Sequence, residues 1–218
     1  MDRRVPFVGL TGGLGAGKST ALAVLERLGA ATLSTDTVVH ELYASEEVRD
    51  AVVARWGEEM APGGVVDRSA VARRAFAASD ERAWLEELLW PHVGTRVAAW
   101  YEALGEQKVP PRAAVVETPL LFEAGMEGLY DATVAVVADE AVRAERAGKR
   151  GHQALDERAA RHMSQEEKAD RATYALRNSG TLEELERELA AMLARLEETA
   201  GERAGGASGS AGAHPEQS

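Results

Sequence analysis

The chain has 218 residues, of which 45% are hydrophobic, and a formal net charge of −11 at pH 7. This length and composition favour one α/β domain with insertions. The acidic balance argues against nonspecific binding to nucleic acid or to an anionic membrane, because such partners attract a surplus of Lys and Arg. The absence of cysteine excludes disulfides, thiolate catalysis and cysteine-based zinc sites. No apolar run approaches the roughly 20 residues of a membrane span, so we expect a soluble cytoplasmic protein.

The segment from Gly12 to Ser19, GGLGAGKS, has the pattern G-x-x-x-x-G-K-[ST] of a phosphate-binding loop. Its glycines let successive backbone N–H groups turn toward a polyphosphate. Lys18 can reach the β and γ phosphates, and the Ser19 hydroxyl can ligate Mg²⁺. An apolar run precedes the loop and a helical pattern follows it, as the motif requires. The segment predicts binding of a nucleoside triphosphate.

Three short apolar runs, at 7–10, 113–116 and 132–137, predict buried parallel strands. Between the first two lies an insertion with helical spacing of apolar residues, divided by a Pro-Gly-Gly turn at 62–64 and by Pro91. The arginine-rich stretch from 139 to 171 has the composition of a mobile cover over anionic ligands or of a solvated helical face. The charge pattern leaves these two readings open.

The residues from Thr181 to Glu184 form a capping-box pattern, and apolar residues then recur at i+3 and i+4 spacing. The pattern covers barely two heptads, which favours a C-terminal helix packed on the body over a coiled coil. From Gly201 the composition changes to Gly, Ala and Ser, so we expect a disordered tail over 201–218. The apolar residues of the helical pattern are Leu182, Leu185, Leu189, Met192 and Leu196.

Phosphate loops occur in GTPases, in ATP-driven machines and in small-molecule kinases. The GTPase motifs Asp-x-x-Gly and Asn-Lys-x-Asp are absent from the sequence. Glu117 follows four apolar residues, as the hydrolytic carboxylate of a motor ATPase does, but Thr118-Pro119 comes immediately after it. We therefore favour a kinase, which needs an acceptor-binding wall, a base near the acceptor hydroxyl and cationic groups over the moving phosphoryl group.

Several blocks, in this order, resemble the dephospho-CoA kinase family, from about Phe7 to Leu196. The PLLFE stretch and the order of the blocks make the resemblance specific. The blocks are LTGGLGAGKST at 10–20, Asp36, Asp67-Arg68 with Phe76, LLWP at 88–91, PLLFE at 119–123, and Ser164 to Leu185 with EEK at 166–168 and NSG at 178–180.

The resemblance implies transfer of the ATP γ-phosphoryl group to the ribose 3′-hydroxyl of dephospho-CoA, the last step of coenzyme A synthesis. It implies an α/β fold over 5–200: a P-loop NTPase core with a parallel sheet flanked by helices, a helical substrate-binding insertion and a helical lid. The core would comprise about 5–37, 111–140 and 172–198, the insertion about 38–110 and the lid about 141–171. A nucleoside monophosphate-type kinase and a noncatalytic nucleotide-binding module are the alternatives. The sequence does not indicate an oligomeric state, and we expect a monomer.

The resemblance also assigns the nucleotide contacts. Asn178 would lie in a loop that contacts adenine, and Arg146 and Arg150, spaced i and i+4, would be lid arginines that act with Lys18 in catalysis. Arg143 is a weaker third candidate, and Arg158 matches another arginine of the family. The residues around the ATP phosphates would be Gly13, Gly15, Ala16, Gly17, Lys18, Ser19 and Thr20, with Ser19 on Mg²⁺.

On the acceptor side, the resemblance makes Asp36 the candidate base for the 3′-hydroxyl, and its position before a helical pattern allows a helix N-cap instead. Leu120, Leu121, Phe122 and Glu123 would line the acceptor site. Core packing is the alternative for the three apolar residues.

The chain departs from the family pattern at four positions. Trp90 stands where histidine is common before proline, and His162 stands where glutamine is usual. Thr173 and Arg177 replace aspartates near Asn178. These changes put in doubt the details of the substrate and adenine contacts.

Overall fold

The computed structural model describes residues 5–149 and 163–207, with side chains for 5–146 and 163–201. The chain divides into two compact units. One runs through Leu33 and resumes at Leu104, and the other spans Ser34–Ala103. From the sequence, we placed the helical insertion at 38–110.

A parallel sheet of five strands, in the order β2-β3-β1-β4-β5, forms the first unit. Strand β1 pairs in parallel with β3 on one side and with β4 on the other, and β4 pairs in parallel with β5. The three predicted strands are confirmed, and β2 and β5 were missed. The strands are β1 (Phe7–Gly12), β2 (Ala31–Ser34), β3 (Ala114–Glu117), β4 (Ala132–Val137) and β5 (Tyr174–Arg177).

Helices flank this sheet and form the second unit. In chain order they are α1 (Lys18–Arg27), α2 (Thr35–Leu42), α3 (Glu46–Trp56), α4 (Arg68–Ala77), α5 (Ser79–Gly105), α6 (Glu140–Lys149), α7 (Gln165–Arg171) and α8 (Leu182–Ala207).

The C-terminal helix α8 is packed on the body of the first unit, as the sequence predicted, and it contacts α1 there. Thr181 and Glu184 exchange hydrogen bonds between side chain and backbone N–H, which is the predicted capping box. Leu185, Leu189, Met192, Leu193 and Leu196 are buried in the core with the strands. Leu182, which we expected on that face, is 47% exposed because the capping box places it at the first position of the helix.

Helix α8 continues to Ala207, so the predicted start of the tail at Gly201 is wrong. A helix that is already nucleated extends at one backbone hydrogen bond per residue. The Glu, Arg and Ala of this stretch favour the extension, and its three glycines, Gly201, Gly205 and Gly206, weaken it. The rest of the predicted tail, 208–218, lies outside the described residues.

In the second unit, the helical spacing predicts an apolar face of Val48, Val52, Val53 and Trp56 on α3. Val48, Val52 and Trp56 are buried, and Val53 is half-buried. The ring of Trp56 meets that of Trp84 edge-on with centroids 4.9 Å apart, and its indole N–H donates to Glu81. Pro91 does not end a helix, because α5 runs through it. One proline removes one internal hydrogen bond, and the rest of this 27-residue helix supplies the others.

Candidate active site

The predicted phosphate loop joins the end of β1 to the first residue of α1. Gly15 has φ 75° and Gly17 φ 94°, in the left-handed region that favours glycine. Gly17 is the N-cap of α1, so the N–H groups of the first helical turn have no acceptor within the helix. Such a helix N-terminus attracts anions through these N–H groups and the helix dipole.

Lys18 and Ser19 occupy the first two positions of α1. The Lys18 ammonium donates to the carbonyls of Gly12 at 3.1 Å and of Gly13 at 3.4 Å, which keeps it beside the loop. Ser19 and Thr20 are exposed. The loop thus presents one cation and two hydroxyl-bearing residues at the helix N-terminus where a polyphosphate would bind.

Asn178, directly after β5, is buried against this loop. The side-chain amide of Asn178 donates to the Ala16 carbonyl at 2.8 Å. The backbone carbonyl of Asn178 accepts from the Arg146 guanidinium at 3.0 Å. A Cβ on Gly17 would lie 2.0 Å from the Asn178 amide nitrogen. The structure therefore places Asn178 and Arg146 at the phosphate loop.

Helix α6 brings a second arginine to the same loop. Arg143 donates to the Leu14 carbonyl at 2.9 Å and pairs with Glu140 at 2.7 Å. From the sequence, we ranked Arg143 below Arg146 and Arg150. Among the described residues, Arg143 donates to the loop itself and Arg146 donates to Asn178 beside it. The predicted Arg150 and Arg158 lie outside the described residues.

Asp36 is the second residue of α2 and is exposed. The N-cap of α2 is Ser34, so the alternative interpretation of Asp36 as the helix cap is wrong. Asp36 follows the last residue of β2 by two positions in the chain. Its predicted role as a base stays a prediction.

The PLLFE segment forms a turn after β3. Leu121 and Phe122 are 0% and 3% exposed, and Leu120 is half-buried. Burial of this extent favours core packing for Leu121 and Phe122, the alternative that the sequence left open. Their backbone still fixes the position of Glu123.

Glu123 binds helix α7 and the residue Met163 before it, at the C-terminal end of the predicted lid. Its carboxylate accepts from the Met163 backbone N–H at 2.9 Å and pairs at 2.9 Å with the ammonium of Lys168, which is fully buried. Burial alone would raise the pKa of Glu123, but the hydrogen bond from Lys168 and backbone N–H bonds outweigh it and lower the pKa.

The end of the predicted lid, at 164–171, is packed rather than a free cover. Gln165 and Lys168 of α7 are buried, and α7 lies against β4. The Gln165 amide exchanges two hydrogen bonds with the backbone of Ala138, which satisfies its polar atoms. The burial of Gln165 and Lys168 was missed from the sequence, because polar residues in an arginine-rich stretch are typical of an exposed surface.

Two of the residues that depart from the family pattern, Thr173 and Arg177, contact other residues through their side chains. Thr173 exchanges hydrogen bonds with Thr133, which links β4 to the start of β5. Arg177 pairs with Asp139 at 2.8 Å. Trp90 lies half-buried within α5, and His162 lies outside the described residues.

Within 5–146 and 163–201, no group of three or more His, Cys, Asp or Glu side chains could hold a metal ion. None of the helices described here has an apolar stretch long enough to cross a bilayer.

A parallel sheet with a glycine-rich loop leading from its middle strand into a helix, and with arginines and an asparagine against that loop, defines a P-loop kinase fold. The family model described as "Dephospho-CoA kinase" matches residues 6–184. The chain is 38% identical over 198 residues to the dephospho-CoA kinase of Deinococcus radiodurans, covering 88% of this chain and 93% of that protein. It is 34% identical over 186 residues to that of Protochlamydia amoebophila, covering 84% and 92%. The chain belongs to the dephospho-CoA kinase family.

Solved structures agree with this fold. A crystal structure from Thermus thermophilus has a TM-score of 0.73 and 36% identity over 88% of this chain and 98% of that one. A dephospho-CoA kinase from Campylobacter jejuni has a TM-score of 0.64 at 19% identity, covering 88% and 97%. At 19% identity, the similarity to the Campylobacter jejuni structure supports the fold alone.

Proposed function

We propose that this chain transfers the γ-phosphoryl group of ATP to the ribose 3′-hydroxyl of dephospho-CoA, giving coenzyme A and ADP. The observation that carries the proposal is the family match over 6–184. It includes the phosphate loop, Asp36 and the PLLFE turn. The alternative of a nucleoside monophosphate-type kinase is not favoured by the relatives of the chain.

The loop and two cations would bind and polarise the phosphates. Phosphoryl transfer passes through a loose transition state with charge on the equatorial oxygens, so positioning and electrostatics supply most of the rate enhancement. Lys18 lies beside the loop, and Arg146 is bonded to the backbone of Asn178. We infer that both would neutralise charge on a phosphate held at the N-terminus of α1. Arg150 is proposed as a further lid cation on the family resemblance alone.

The chemistry of the donor set fits Mg²⁺ brought in with ATP. Mg²⁺ usually keeps several waters and takes one or two protein oxygens together with substrate phosphates. Ser19 offers an exposed hydroxyl in the first turn of α1. Mg²⁺ would neutralise charge on the β and γ oxygens, and Ser19 would be its ligand from this chain.

Asp36 is proposed as the group that orients the 3′-hydroxyl and accepts its proton. An exposed carboxylate that is not used as a helix cap is available for such a contact. Phe122, Leu121 and Leu120 would shape the acceptor site mainly through the backbone of their turn, with Glu123 holding the turn in place.

ADP release coupled to an indicator reaction tests the proposal, with ATP and either dephospho-CoA or AMP as acceptor. We expect turnover with dephospho-CoA and little with AMP. Lys18→Ala should lower turnover by about 10² to 10³, because it removes a charge that stabilises the transition state. Arg27→Ala is the matched control, since it removes an exposed cation from the other end of the same helix.

Turnover with AMP alone would favour the nucleoside monophosphate-type alternative, and ATP binding without turnover would favour the noncatalytic module. The cytoplasmic location and the monomeric state predicted from the sequence stay predictions.

A further inference from the structure

A buried lysine joins three segments of the first unit. The side chain of Lys168 in α7 is 0% exposed, and its ammonium lies 2.9 Å from a Glu123 carboxylate oxygen, 2.7 Å from the Pro119 carbonyl and 3.4 Å from the Thr11 hydroxyl oxygen. An ammonium has three N–H donors and no acceptor. Its three donors thus meet three acceptors, two on the turn after β3 and one on β1.

Thr11 extends this cluster to the phosphate loop. Its hydroxyl donates to the Pro119 carbonyl at 3.0 Å while it accepts from Lys168. Thr11 directly precedes Gly12, whose carbonyl accepts from Lys18. The cluster therefore joins the turn that carries PLLFE to the strand residue from which the phosphate loop begins.

The helix that carries Lys168 is held firmly at its start. Ser164 and Glu167 form a capping box, and Gln165 bonds both backbone groups of Ala138 at the end of β4. Lys168 lies one helical turn after Gln165, so the two buried side chains share a face. The helix that carries Lys168 is thus tied to the sheet independently of the ammonium's contacts with Glu123 and Pro119.

Burying an ammonium costs free energy, and an apolar side chain of similar length would fill the same space without that cost. An apolar side chain would not orient the three partners of Lys168. Hydrogen bonds do so, because each one favours a particular distance and angle between its donor and acceptor. Each of the three N–H donors of the Lys168 ammonium has an acceptor, and a buried donor group paired in this way favours one geometry.

We propose that Lys168 is a positioning residue for phosphoryl transfer: its buried ammonium sets the acceptor turn at 119–123 against the start of the phosphate loop. The inference rests on the proposed function. Lys168 touches no substrate in this role and acts through Glu123, Pro119 and Thr11. Misplacement of reacting groups by about 1 Å can lower a rate about 10²-fold. Loss of the network would allow the acceptor turn to shift relative to the phosphate loop by a distance of this order.

Two variants disturb the network from opposite ends. Lys168→Met removes the charge at nearly constant length, and Glu123→Gln keeps an acceptor for the Met163 N–H while it removes the ion pair. For each we expect kcat per nucleotide-binding site to fall, by about 10²-fold for Lys168→Met, with little change in the affinity for a nonhydrolysable ATP analogue. Asp170→Asn is the matched control on α7. It removes the charge of an exposed residue of the same helix, outside the acceptor turn, and kcat should stay near wild type.

The absence of native cysteine allows a test by chemical rescue. Lys168→Cys, unfolded and alkylated with 2-bromoethylamine, acquires a side chain that ends in an ammonium at nearly the length of lysine. Alkylation with 1-bromopropane gives a neutral side chain of the same length. After refolding, the aminoethyl form should recover most of the wild-type kcat and the propyl form should not. Wild type, taken through the same cycle, controls for refolding.

Equal kcat values for the aminoethyl and propyl forms would overturn the positioning role. Loss of ATP-analogue binding in parallel with turnover, in both Lys168→Met and Glu123→Gln, would also overturn it, because the cluster would then serve only to keep the protein folded. Wild type without turnover on dephospho-CoA would refute the proposed function instead. Active wild type with unchanged variants would refute this inference alone.

Discussion

Gly17 is the position where a single added carbon should disturb the phosphate loop most sharply. Its φ of 94° and ψ of 31° lie in the left-handed region. A Cβ built there would lie 2.0 Å from the Asn178 amide nitrogen and 3.4 Å from an Arg146 guanidinium nitrogen. Gly17→Ala must therefore strain the backbone and displace the Asn178 side chain.

Two costs add in this variant. The left-handed conformation costs a non-glycine residue about 1 to 2 kcal/mol. Displacing Asn178 breaks its hydrogen bond to the Ala16 carbonyl and leaves a buried amide without that acceptor, at about 1 to 3 kcal/mol. We expect a loss of about 2 to 5 kcal/mol in the free energy of unfolding.

Urea unfolding measures this loss, and Gly125→Ala separates the two costs. Gly125 lies in the same unit with φ 64°, and a Cβ there would meet nothing within 4 Å. Gly125→Ala should therefore show the backbone cost alone. A Gly17→Ala variant no less stable than Gly125→Ala, with wild-type affinity for ATP, would refute the described contact between Asn178 and the loop.

Three further predictions concern the acceptor base, the buried ion pair and the C-terminal helix. Asp36→Asn should lower turnover by about 10² to 10⁴ with ATP affinity and melting temperature little changed, and turnover near wild type would remove Asp36 from the catalytic group. The pKa of Glu123 is lowered in the folded state, so its contribution to stability is complete above the ordinary glutamate pKa of 4.5 and is lost as the pH falls through the lowered value. The stability gap between wild type and Glu123→Gln should therefore shrink in acid, and a gap independent of pH would contradict this. Leu189→Ala, at a fully buried position of α8, should cost about 2 to 5 kcal/mol in urea unfolding, and an equal loss in the half-exposed Leu182→Ala would show that α8 is not packed as described.

The parts of the site that depend on local chemistry could be predicted from the sequence. The phosphate loop follows from glycine backbone freedom and from one lysine and one serine at fixed spacing, and all of these lie within eight residues. The capping box at Thr181 is equally local. The three buried strands were found because each is a continuous apolar run.

The Lys168 network could not be predicted in this way. Lys168 and Thr11 are 157 positions apart, and Lys168 and Pro119 are 49 apart, so no window of sequence contains the cluster. A lysine in a polar stretch is typical of solvent exposure. Its burial depends on acceptors that only the assembled sheet supplies.

The errors at Pro91 and Leu182 have related causes. Each local rule was applied correctly, but the outcome depended on context: a long helix on both sides of the proline, and a capping box that begins the helix one residue before Leu182. The prediction of an acceptor site at Asp36 and 120–123 depends on the order of several blocks, because no single residue type there specifies dephospho-CoA.

In the proposed reaction, the 3′-hydroxyl of dephospho-CoA receives the phosphoryl group. The most direct measurement is the structure of the product: wild type is incubated with ATP, Mg²⁺ and dephospho-CoA, and the product is analysed by mass spectrometry and ³¹P NMR, with 3′-deoxy dephospho-CoA as the matched control. We expect one added phosphate, as a 3′-phosphomonoester, and no product from the deoxy compound. A phosphorylated product from the deoxy compound, or a phosphate at another position of dephospho-CoA, would contradict it.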